Sequence, residues 1–206
     1  MKYMILLALP LAFLFGEASL DWEKYIPENQ NKNIRYGATQ LIGESITSIT
    51  INGPTVLDRA TILDRIEVNG TINASKSKIN HLIVNGNFSG FELNVKEIKV
   101  NGTVGLSSSI VSGTLTVYGL LNANECDFNG LILIDSSETY FNKSNIQDIT
   151  ILNNSFSLNT QKIYLKDNTA VNGKIIFKGG NGEVILSGNS TVTSSQIVGG
   201  KIFKKD

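Results

Sequence analysis

Ile66-Glu67-Val68-Asn69-Gly70-Thr71-Ile72-Asn73-Ala74 is one copy of a phrase that keeps returning: an apolar residue, a free position, a second apolar residue, then Asn-Gly. The same phrase reads Ile49-Thr50-Ile51-Asn52-Gly53 before it, and Leu82-Ile83-Val84-Asn85-Gly86 and Ile98-Lys99-Val100-Asn101-Gly102 after it. Gly53, Gly70, Gly86 and Gly102 lie 17, 16 and 16 residues apart. A fixed period of this kind sets the architecture before any single residue is read as a site. Weaker copies follow at Leu115-Thr116-Val117-Tyr118-Gly119, Leu131-Ile132-Leu133, Ile149-Thr150-Ile151, Val171-Asn172-Gly173 and Val184-Ile185-Leu186-Ser187-Gly188. The spacing drifts to about 18–20 residues between 134 and 172, which predicts small loop insertions there.

Between the turns runs a second apolar set: Ile72, Ala74 and Ile79, then Phe88, Gly90, Leu93 and Val95, then Val104, Leu106 and Ile110. Alternation at period two marks strands with one buried face. Asn-Gly between alternating runs is ordinarily a hairpin signal, and a hairpin-built sandwich or barrel competes with a coil. Two details favour the coil. The apolar positions recur in the same order on both sides of each turn, not mirrored, and 16–17 residues suit one circuit around a small core. The expected fold is therefore all-β: a single-stranded parallel β-helix (β-solenoid) of about nine short coils over residues 46–203, roughly 40 Å long from the strand spacing.

In such a stack, equivalent residues lie above one another. Asn52, Asn69, Asn85 and Asn101 are expected to form an amide ladder, with Asn172 in the same role. Gly53, Gly70, Gly86, Gly102 and Gly173 supply the positive φ that a tight corner needs.

The strand, glycine turn, x-Φ-x-Ala pattern of Val68-Asn69-Gly70-Thr71-Ile72-Asn73-Ala74 and its relatives resembles that of the bactofilins, bacterial polymer-forming cytoskeletal proteins. The resemblance covers residues 46–203 as a pattern. It implies a β-helix that assembles end to end into filaments without nucleotide. Bactofilins are typically cytoplasmic or held at the inner membrane, and here this chain departs from them.

Met1-Lys2, an apolar run over residues 5–15 and Gly16-Glu17-Ala18 have the layout of a secretory signal peptide, expected over residues 1–18. The run is shorter than the roughly 20 apolar residues needed to cross a bilayer, and no later segment is apolar enough to span one. The expected location is periplasmic, cell-surface or secreted. Residues 19–45 are polar and aperiodic apart from Trp22 and Tyr25, and are expected to be an N-terminal arm or cap. Residues 204–206 close the chain as a basic tail, and the apolar-basic mixture from Lys201 onward suits either a guarded sheet edge or an end-to-end docking surface.

Charge gives little direction to function. The 18 basic and 18 acidic side chains cancel, so nothing favours nucleic acid as a partner. One cysteine, Cys126, excludes an intramolecular disulfide framework, and its inward position predicts a small core side chain. His81 is the only histidine and cannot join a multi-histidine metal site.

Some β-helix proteins cleave polysaccharides with clustered carboxylates. The near-duplicate Leu-Asp-Arg at 57–59 and 63–65 would bring Asp58, Arg59, Asp64 and Arg65 into one patch, though a solvated outer face explains them better. Gly179-Gly180-Asn181-Gly182-Glu183 faintly matches a calcium-binding glycine-rich repeat, and a tight corner explains it better. Asn-x-Ser/Thr occurs at Asn69, Asn73, Asn87, Asn101, Asn142, Asn153 and Asn189, read here as by-products of an Asn/Ser/Thr-rich solenoid. No catalytic, cofactor or metal residue is assigned. The expected role is a non-catalytic structural or self-assembling element of the envelope, associating end to end. The alternative is a surface adhesin or glycan-binding module, with a polysaccharide-active enzyme behind it.

Overall fold

The computed structural model describes residues 33–153 and 160–205. The expected signal peptide and most of the expected arm, residues 1–32, lie outside the described residues.

The chain winds as a parallel β-solenoid of about ten coils. Each coil contributes to two sheets, and every strand pairs in parallel with its counterpart one coil away. The first sheet holds the longer strands, such as Ser45–Asn52, Thr61–Asn69 and Lys78–Asn85. The second holds four-residue strands, such as Thr55–Asp58, Ile72–Ser75 and Phe88–Phe91. Short parallel strands joined by tight bends leave no room for hairpins, and the unmirrored apolar order is thereby explained.

Registration is residue on residue. Ile51, Val68, Val84, Val100, Val117 and Ile134 form one inward column. Thr55, Ile72, Phe88, Val104 and Leu121 form another on the opposite sheet. Nearly all of these side chains are fully buried, and they make up one continuous core. The difference between 16- and 17-residue coils has a local cause. Between Gly53 and Gly70 the strand register shifts between Ile62 and Arg65, so a single extra residue is taken up as a bulge.

The stack begins before residue 46. Strands Ile34–Tyr36 and Thr39–Ile42 pair with the next coil, with Leu41 fully buried in an inward column. This first coil lacks Asn-Gly; Gly37 and Gly43, at φ 84° and 66°, make its bends instead. The assignment of residues 33–45 to an arm is corrected accordingly. At the other end the strand Gly200–Lys204 runs one residue past 203. The loop insertion is larger than the spacing suggests: Thr139 pairs with Ile163, 24 residues on.

The second bend of each coil is built differently. Arg59, Lys76, Glu92, Ser108, Glu125 and Lys143 occupy it with φ between 48° and 56°, a left-handed conformation that disfavours ordinary side chains. Each of their N–H groups donates across to the next coil, for example Lys76 to Phe91 O and Glu125 to Asn142 O. Lys76–Glu92 and Lys143–Glu125 pair at 4.0 and 3.5 Å, exposed contacts that contribute little.

One residue further on, the buried position at the core edge mixes apolar and hydroxyl side chains: Ala60, Ser77, Leu93, Ser109, Cys126, Ser144 and Thr169. The Ser109 hydroxyl accepts from Leu93 N (3.1 Å) and donates to Ser107 O (2.7 Å). Ser77 and Ser144 repeat the arrangement with Ala60 N and Cys126 N. Ser109→Ala should therefore strand a buried N–H and lower unfolding free energy by about 1–2 kcal/mol in urea titration. Cys126→Ser should fall within about 1 kcal/mol of the parent, since serine occupies the equivalent position in the coils on either side, at Ser109 and Ser144. Equal losses in both variants would rule out the hydroxyl account.

Candidate functional site

The Asn-Gly ladder is where the repeat predicts it, for the first coils. Asn69 Nδ2 donates to Asn52 Oδ1 and Asn85 Nδ2 to Asn69 Oδ1, both at 2.8 Å. Asn101 stands in register with Asn85. Gly53, Gly70, Gly86 and Gly102 adopt φ of 144–150° and follow one another up the corner. Beyond them the column continues as Tyr118 and Asp135.

Asn172 and Gly173 do not belong to this column, which corrects their placement in it. They sit at the mid-strand bend, where Asn172 N donates to Ile146 O and Gly173 N to Gln147 O. Gln196 Nε2 caps the bend, donating to Val171 O, Asn172 O and Gly173 O. The same dipeptide serves two corners, and its spacing from neighbouring strands decides which.

The duplicated Leu-Asp-Arg does not make one patch. Asp58 pairs with Arg59 at 2.8 Å on the left-handed bend, and the Ser75 hydroxyl donates to it at 2.9 Å. Those contacts, the Ser75 bond first, hold the Asp58 carboxyl below its ordinary range. Asp64 and Arg65 belong to the long-strand sheet, where Arg65 pairs with Glu67 at 2.7 Å and Ser48 donates to Asp64 at 2.7 Å. His81 lies between Asp64 and Glu97, at 3.8 and 3.7 Å. Among the described residues no group of three or more His, Cys, Asp or Glu side chains is arranged to hold a metal ion.

Cys126 is buried, its thiol directed at Asn124 O. Burial is the main cause that pushes this thiol up to about 11, which leaves it a poor nucleophile at neutral pH. The glycine-rich stretch at 179–183 is a tight turn: Gly180 N donates to Phe177 O, and Gly182 N to Gly199 O. Glu183 beyond it pairs with Lys162 at 3.5 Å. The Asn142 side chain of one sequon is engaged in the stack, donating to Asn124 Oδ1 at 2.6 Å.

A concavity lies on the outer face of the short-strand sheet. It is an open groove of about 580 Å³ lined by both polar and apolar side chains. Ser89, Gly105 and Asn122 lie in successive coils along it, and Tyr140 follows at its head. The rings of Tyr140 and Tyr164 stack at 4.6 Å, 5° from parallel. Lys166 Nζ lies 5.4 Å from the first ring centre and 5.9 Å from the second. Both phenol hydroxyls donate to the Glu138 carboxylate. That bond is the first reason the Tyr140 hydroxyl is pushed up to about 12, so it stays protonated.

Nothing in the sequence reading singled out this pair. The two tyrosines are 24 residues apart because the insertion falls between them, and only the register brings them together. Comparison with protein families, with curated proteins and with solved structures finds no match to this chain.

Proposed function

We propose that this chain is an exported, non-catalytic rod, a structural element of the cell envelope whose copies join end to end. The observation that supports this most is the condition of the last coil. Among the described residues, strands Ile197–Val198 and Gly200–Lys204 pair on one side only, with Ile175–Phe177 and Gly182–Leu186. Ile197 and Ile202 pack on the core but are only partly buried, unlike their counterparts within the stack.

An unpaired strand edge is a template for another strand, and a parallel one accepts a partner running the same way. Joining one copy's last coil to the first coil of the next repeats the same parallel pairing. A head-to-tail contact of that kind does not close on itself and so propagates. Lys201 and Lys204 on the last strand, with Lys205 just beyond it, discourage two such ends from meeting each other. The resemblance to the bactofilins carries the same implication.

The test is sedimentation velocity and negative-stain microscopy on the chain lacking residues 1–18. Concentration-dependent oligomers or filaments are expected, with Ile202→Lys returning the protein to monomer. A strict monomer at millimolar concentration, at both low and high salt, would overturn the proposal.

A further inference from the structure

The groove beside Tyr140 has features that no element of an end-joining rod requires. Its floor is kept low by small side chains on an outer face. Gly105 is the clearest case: a Cβ there would meet nothing within 4 Å, and its φ is not one that demands glycine. Neither folding nor packing accounts for a glycine at this strand position, which ordinarily weakens a strand. Its effect is to leave space two coils below Tyr140, beneath the intervening Asn122.

Tyr164 and Lys166 then fix the Tyr140 ring. Tyr164 covers one face, and the shared Glu138 carboxylate holds both phenols in orientation. The groove is bordered by Tyr140 and not by Tyr164, so it lies on the side of Tyr140 away from the stack, where Asn122 is next in register. Along the groove stand neutral amides and hydroxyls, notably Ser89, Asn122 and Asn124, with one cation, Lys166, and one anion, Asp167. The lining spans five coils, about 19 Å at the strand spacing.

These properties select a ligand class. A held aromatic face suits a flat ring that presents C–H bonds on its surface, and amides that both donate and accept suit hydroxyls around its rim. Balanced charge favours no polyanion, which sets nucleic acid aside. The open, elongated shape admits a chain passing through, and the volume is within the range of small-ligand sites. We propose that the groove binds a neutral oligosaccharide, laid along the stack with one sugar ring against Tyr140.

The experiment is native affinity electrophoresis of the whole secreted chain through gels containing mixed-linkage β-glucan, xylan, dextran or galactomannan, followed by calorimetry with the matching hexasaccharide. Retardation is expected in at least one gel, unaffected by 0.5 M salt. Tyr140→Ala should weaken it at least tenfold. Gly105→Ile fills the floor with a residue that strands favour, so it should abolish retardation while leaving the thermal midpoint unchanged or higher. Gln40→Ala, on the same outer face but outside the groove, should behave as the parent.

Migration unaltered in all four gels would overturn the proposal. So would retardation that persists in Gly105→Ile, or that disappears in salt. If Tyr140→Ala melts early, the pair serves as a surface stack in addition, and Gly105→Ile alone decides the question. None of these outcomes depends on end-to-end assembly, since Ile202→Lys monomers should bind equally well.

Discussion

Gly70→Ala is expected to lower the unfolding free energy by about 3 kcal/mol and the thermal midpoint by roughly 10 °C. Two independent costs coincide at this corner. The backbone sits at φ 149°, which an L side chain rarely adopts. A Cβ built there would also lie 2.8 Å from Gly53 O and 2.9 Å from its carbonyl carbon, atoms of a backbone that has no rotamer to yield. The same clash recurs, more closely, at Gly86 and Gly102. Relief would require parting the two coils, and so weakening the Gly53 N to Asn69 O bond of 3.0 Å that joins them. Circular dichroism melts of Gly70→Ala and Gly105→Ala give the contrast. The second position has open space and ordinary φ, so it should melt with the parent. Equal losses in the two would show that glycine content, and not this corner, limits stability.

Phe141→Ala should cost about 4 kcal/mol. Phe141 is the largest of the fully buried side chains and meets Phe128 edge to face, ring centres 5.8 Å apart and 80° from parallel. In its inward column Phe141 lies between Ala123 and Leu165, so the ring fills space that the small Ala123 leaves. Truncation leaves a cavity with fixed sheet walls, and a solenoid held by cross-coil hydrogen bonds collapses into it poorly. Because each coil touches only its neighbours, the loss should fall on the C-terminal half. Hydrogen exchange would show faster amides from Leu121 to Lys166 and unchanged ones from Ser45 to Phe91. Uniform acceleration across the chain would instead mean that the rod unfolds as a single unit.

The architecture is legible because it is periodic. Val68, Asn69 and Gly70 each repeat at the spacing of one coil, and alternation fixes which side chains face in. The amide ladder follows from the same spacing. What spacing does not carry is the meaning of an isolated residue. The first coil escaped notice because Ile34-Arg35-Tyr36-Gly37 keeps the shape and drops the asparagine. Asn172-Gly173 misled for the opposite reason, keeping the dipeptide at a different bend.

The left-handed row of Arg59, Lys76, Glu92, Glu125 and Lys143 could not be inferred from composition, since these are not residues that favour positive φ. They tolerate it because each N–H is held by the next coil. The buried hydroxyls did leave a trace, a serine two places after each short strand in Ser75-Lys76-Ser77, Ser107-Ser108-Ser109 and Asn142-Lys143-Ser144. The tyrosine stack left none, because an insertion of variable length separates its two halves.

The single-residue bulge between Ile62 and Arg65 carries a wider consequence. Coils of different length sit side by side in this rod, and yet every inward column is restored within a few residues of the irregularity. Misalignment therefore does not accumulate from one end to the other: each circuit is corrected against the one beneath it. Variation in chain length is absorbed at the bends and never reaches the core. A rod assembled this way can gain or lose residues at its corners over evolutionary time while its interior stays in step.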